Sequence, residues 1–144
     1  MTNIMDAIKQ LREETGAGVM DCRAALEDSK GDIEKAKEIL RQKGVEKAAK
    51  KSDRVMKSGL VYAYIHGGGR VGALIELGCE TDFVARTDDF QNLCKEISMQ
   101  IASMNPVSVD ELLGQAYIRD SKLSIKDLIS NAVAKIGENI QLIR

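Results

Sequence analysis

The sequence predicts an α+β fold, a small helical bundle followed by an antiparallel sheet packed with helices. Three observations predict it. The first 45 residues show only helical periodicity. Leu60 to Leu77 reads as two β runs around a glycine turn. Helices and strands then stay segregated, with no alternating strand–helix–strand unit.

In the first 45 residues, Ile4, Met5, Ile8 and Leu11 recur at helical spacing, Thr2 or Asn3 is placed to cap the start, and Gly16-Ala17-Gly18 ends the helix. Val19 to Ser29 forms a second helix with Met20, Ala24 and Leu26 among its apolar positions and Gly31 as its stop. Asp32 caps a third, with Ile33, Ala36, Ile39 and Leu40 inward and Gly44 at its end. Val19 and Met20 are open to two readings, core or an exposed apolar patch for a partner.

Residues 46–58 are basic and poor in apolar side chains, and read as a solvated helix or linker between a first domain (1–45) and a second (59–144). Leu60 to Ile65 alternates, Gly67-Gly68-Gly69 turns, and Val71 to Leu77 returns, so a hairpin is expected. His66, the single His, lies at its tip. With no second ligand or nucleophile nearby in sequence it reads as a polar contact, not a catalyst.

Glu80, Thr81 and Asp82 crowd polar groups ahead of Phe83, one of two Phe in a chain without Trp. Thr87, Asp88 and Asp89 look like the cap and acidic first turn of the next helix. Phe83 therefore lies in a strand-to-helix connector, either as a protruding wedge or folded back as a staple on that helix. Thr87 to Met104 is expected as the longest helix, stopped by Asn105-Pro106. Val107 to Lys122 reads as irregular, with one helical turn near Glu111. Ser124 to Asp127 opens a last helix that ends at Gly137, and Asn139 to Arg144 is a third strand.

Composition bounds the function. Lys plus Arg total 21 against 22 acidic residues, which argues against general binding to duplex nucleic acid. Cys22, Cys79 and Cys94 are odd in number and widely spaced, so neither a disulfide framework nor a zinc site is expected. Met1 to Asp6 lacks a signal-peptide layout and no apolar run approaches membrane-spanning length, so a cytoplasmic or organelle-matrix protein is expected. No constellation supports catalysis, and neither a cofactor nor a metal is implied.

Three stretches together resemble one family, translation elongation factor Ts. They are Leu11-Arg-Glu-Glu-Thr-Gly-Ala-Gly-Val-Met-Asp-Cys22, Cys79-Glu-Thr-Asp-Phe-Val-Ala-Arg86 and Ala134-Lys-Ile-Gly-Glu-Asn-Ile140, with Lys47-Ala-Ala-Lys-Lys51 between the first two. The resemblance implies a guanine nucleotide exchange factor for elongation factor Tu in protein biosynthesis. It would bind that partner's GDP state, displace Mg²⁺ and promote GDP release, binding no nucleotide itself. It further implies that residues 1–45 form a ubiquitin-associated-like domain contacting the partner through Leu11, Val19 and Met20. Thr81, Asp82, Phe83 and Val84 would intrude beside the partner's Mg²⁺ site, and His66 would be a further contact. The chain departs from the family's pattern between Met104 and Leu112, where a long helical insertion is nearly absent, and after the last strand, where further sheet is expected. Self-association as a homodimer through that edge is thereby put in question. Two other readings stay open: an adaptor that docks on the ribosome or a ubiquitin-like partner without driving exchange, and a small enzyme using Cys79 or His66.

Overall fold

The first helix is capped by the Asn3 side chain, which accepts from the Met5 N–H at 3.2 Å. The computed structural model describes residues 3–144, so the alternative cap, Thr2, lies outside the described residues. The helices are α1 (Ile4–Thr15), α2 (Val19–Asp28), α3 (Ile33–Lys51), α4 (Asp82–Ala85), α5 (Asp88–Met104), α6 (Val109–Gly114) and α7 (Ile125–Ile136). The strands are β1 (Ser58–His66), β2 (Val71–Cys79), β3 (Ala116–Tyr117), β4 (Asp120–Ser124) and β5 (Gln141–Leu142). The class is α+β.

Helices α1–α3 close over one core, in which Leu11, Cys22, Ala25 and Ala36 are inaccessible to solvent. Of the four apolar residues at helical spacing on α1, Ile8 and Leu11 are buried, joined by Ala7, while Ile4 and Met5 are exposed. Asp32 caps α3 by accepting from the Lys35 N–H at 3.1 Å.

Helix α3 does not stop at Gly44. It continues to Lys51, so the first part of the basic run is helical, and its 19 residues exceed the 17 of α5. Gly44 is buried where α3 packs on α7. A Cβ placed there would lie 3.1 Å from Asn131 Oδ1. The glycine is thus a close-approach residue inside a helix, not a terminator. Beside it, Arg41 donates to Asp127 Oδ1 at 2.9 Å, tying α3 to the first turn of α7.

β1, β2 and β5 form an antiparallel sheet in the order β1-β2-β5. The register pairs Tyr62 with Ile75 and Leu60 with Leu77, and these side chains meet α5 and α7 in a second core centred on Phe90, Ile97 and Ile125. The expected third strand pairs over Gln141–Leu142, and the Ile143 N–H and Arg144 carbonyl add two bonds to Glu76 at 2.9 and 2.8 Å. The helical turn expected near Glu111 is α6, and the rest of the segment read as irregular holds a second hairpin, β3–β4. Gln100, wholly buried on α5, holds that hairpin: its amide donates to the Ala116 carbonyl at 3.1 Å and its oxygen accepts from the Ile118 N–H at 2.9 Å. No described helix is long and apolar enough to cross a membrane.

Candidate functional site: an exposed aromatic tip

Strand β2 delivers the chain to a single helical turn. Thr81, extended at φ −125° and ψ 150°, caps α4, its Oγ1 accepting from the Val84 N–H at 3.3 Å. Arg86 follows the turn and Thr87 caps α5, accepting from the Phe90 N–H at 3.3 Å. Two caps six residues apart leave room for one turn only, and its outer side belongs to Asp82 and Phe83.

Phe83 is 80% exposed and does not staple onto α5. Val84 and Ala85 point the other way, into the core with Phe90 and Cys94. Asp82 is exposed as well and pairs with Arg86 at 2.5 Å along the surface. Such a pair contributes little to stability. It does hold the carboxylate against Arg86 on the surface of the turn.

The base of the turn is held by residues the sequence patterns did not single out. Glu138 accepts from the Glu80 N–H at 3.0 Å, the Thr81 N–H at 3.1 Å and the Thr81 hydroxyl at 2.6 Å. Glu80 in turn accepts from the Asn139 N–H at 2.7 Å. Asn139 is buried, and its amide donates to the carbonyls of Ser52 at 3.2 Å and Arg54 at 2.8 Å, just past α3. Gly137 makes this possible: at φ 88° it ends α7 in the left-handed conformation and turns Glu138 under the tip. The signal lay in the Lys-Ile-Gly-Glu-Asn-Ile stretch, but periodicity assigns no role to a loop.

Below the tip, burial pushes the Cys79 thiol up, helped by the negative Glu138, and the thiol donates to the Thr81 carbonyl at 3.2 Å. Such a group is a packed donor, not a nucleophile.

The other candidates divide. Val19 and Met20, at the start of α2, are 46% and 71% exposed, so neither is a core residue. Leu11 is a correction: it is fully buried under α2 and α3 and presents no surface to a partner. Its spacing on α1 with Ala7 and Ile8 explains why. Val84 is likewise a support for the tip, not a part of its surface. His66 is exposed at the hairpin turn, its Nδ1 2.8 Å from the Tyr64 hydroxyl. Among the described residues, no group of three or more His, Cys, Asp or Glu is placed to hold a metal ion.

Comparison with known proteins gives these positions a context. A family profile described as Elongation factor TS matches residues 80–144, from the tip to Arg144. The chain is similar to Elongation factor Ts of Caldanaerobacter subterraneus subsp. tengcongensis, at 44% identity across 96% of this chain and 92% of that one. It is similar to Elongation factor Ts of Carboxydothermus hydrogenoformans, at 42% across 95% and 84%. Against Elongation factor Ts of Nostoc sp. the identity is 49% across 95% of this chain and 43% of the relative. The first alignment runs over 183 positions, more than the 144 residues present here, so that relative carries residues within the matched span that have no counterpart in this chain. The Nostoc match, over 137 positions, shows no such excess.

Proposed function

This chain belongs to the elongation factor Ts family, and from that premise we propose that it is the guanine nucleotide exchange factor for elongation factor Tu, acting by wedging Phe83 beside the partner's Mg²⁺ site. The observation that carries this is the ring itself, 80% exposed on a one-turn helix whose other side is locked in the core. Exposing a Phe to water is unfavourable by about 2 kcal/mol relative to burying it, and no packing need of this chain accounts for that.

Mg²⁺ demands near-ideal octahedral oxygen coordination, so a small displacement of the backbone around it weakens it. Phe83 supplies rigid apolar volume for the displacement. Asp82 supplies a carboxylate able to accept from backbone amides the wedge disturbs. No covalent step is needed. The factor binds the nucleotide-poor state of the partner better than the GDP state, and linkage weakens GDP by the same factor. GTP entry then ejects the factor by the same coupling.

The three-helix bundle, in this reading a ubiquitin-associated-like domain, docks through Val19 and Met20 on the partner's nucleotide-binding domain. Residues 59–144 form the core domain that carries the tip, and His66 at the hairpin turn offers a lesser contact. A cytoplasmic or organelle-matrix setting fits this role.

Stopped-flow release of a fluorescent GDP analogue from elongation factor Tu tests the proposal. Adding this chain accelerates release in a saturable manner. Binding with an unchanged release rate would instead identify an adaptor.

A further inference from the structure

The aim of Phe83 has no support from its own ring. The side chain is exposed, α4 is one turn long, and its orientation follows from the backbone at Glu80 and Thr81. Those two residues meet the Glu138 carboxylate, which accepts from both backbone N–H groups and from the Thr81 hydroxyl. A carboxylate offers about four acceptor positions, so most of its capacity is spent on the tip. Thr81 is also the cap of α4, which makes the hydroxyl bond a direct hold on the turn that carries the ring. Asn139, the next residue, fastens the same loop to the end of α3 through the Ser52 and Arg54 carbonyls. The tip is thereby fixed relative to a helix of the bundle that carries Val19 and Met20.

We propose that Glu138 is a positioning residue for exchange: the hydrogen bonds it accepts from Glu80 and Thr81 fix the angle at which Phe83 meets the partner. This rests on the wedge reading of Phe83. A wedge works only along the direction that displaces the Mg²⁺ ligands, so a loosened base still binds but pushes poorly. Glu138→Gln preserves the pattern: its amide oxygen takes the two N–H groups, and its NH₂ meets the Thr81 oxygen once the hydroxyl hydrogen turns away.

The test measures the saturating GDP-release rate and the affinity for the partner separately, for single and double variants. Glu138→Ala is expected to lower the saturating rate about 10- to 100-fold, the scale that small misplacements cost, while affinity changes far less. Glu138→Gln recovers most of the rate. Thr81→Val, which removes the hydroxyl bond and the α4 cap together, lowers the rate in the same direction, Thr81→Ser, which keeps both, does not, and the pair serves if Glu138→Ala fails to fold. Phe83→Ala/Glu138→Ala is no slower than Phe83→Ala alone, because Glu138 acts through the ring. A Glu138→Ala protein with the parent rate overturns the inference, as does a double variant whose losses multiply. If Phe83→Ala itself releases GDP at the parent rate, the wedge reading fails and takes this inference with it. An impaired Phe83→Ala beside an unimpaired Glu138→Ala removes this inference alone.

Discussion

Phe83 and Val84 are neighbours on one helical turn, yet the ring is 80% exposed while the valine is 6% exposed. The turn is thus two-sided, with an anchor inside and an exposed ring outside. The two substitutions should separate cleanly. Val84→Ala removes two buried methyl groups and lowers stability by roughly 1–2 kcal/mol, whereas the same truncation at Phe83 changes it by less than about 0.5 kcal/mol. Urea unfolding of both variants checks this; equal losses would mean the ring packs on its own chain.

Gly44 gives a second prediction. A Cβ there would meet Asn131 Oδ1 at 3.1 Å, with the Ser130 carbonyl at 3.9 Å and Ala134 Cβ at 4.0 Å, so a larger side chain must displace Asn131. Gly44→Leu overpacks the α3–α7 contact at a cost of about 1–3 kcal/mol, offset by up to about 1 kcal/mol of helix propensity. A net loss of melting temperature is expected. A gain would show that the two helices are free to separate there.

Much of this was legible in the sequence, and Gly44 shows where legibility ends. The caps at Asn3, Asp32, Thr87 and Ser124, the glycine turn at Gly67–Gly69 and the stop at Gly137 are local signals, and the structure uses each of them. A mid-helix glycine carries the same local signal as a terminal one, and only the approach of α7 distinguishes them. The β3–β4 hairpin was not legible because its strands are short and its support comes from Gln100, a polar residue on another element. At the tip, Thr81, Asp82 and Phe83 stood out as a cluster. Glu138 did not, because its contact with Thr81 spans 57 residues of chain.

Asp127 gives a pH prediction. Burial alone would raise its carboxyl, but bonds from the Ser124 N–H and hydroxyl and from Arg41 outweigh that and hold it below the usual range. A depressed carboxyl contributes stability that is present above the unfolded value, about 3.9, and is lost as pH falls through the lower folded value. Asp127→Asn is therefore less stable than the parent by about 1–3 kcal/mol at pH 7. The gap narrows as pH drops from about 5 toward 2. Denaturant titrations across that range check it, and a gap independent of pH would remove the ion pair from the account.

The cysteines offer a control. Burial pushes the Cys94 thiol up to about 12 and raises Cys22 and Cys79 as well. Thiolate is the reactive form, so iodoacetamide at pH 8 should label the native chain slowly and leave exchange intact. Denatured chain should take up label at all three cysteines. Fast native labelling accompanied by lost activity would return attention to cysteine chemistry.

The most direct test substitutes Phe83 by Ala and measures GDP release from elongation factor Tu under saturating factor. The ring is mostly exposed and adds little to the fold, so the variant should unfold close to the parent's denaturant midpoint while losing most of the acceleration. Acceleration equal to the parent's, in a protein equally folded, would contradict the assignment of Phe83 as the wedge.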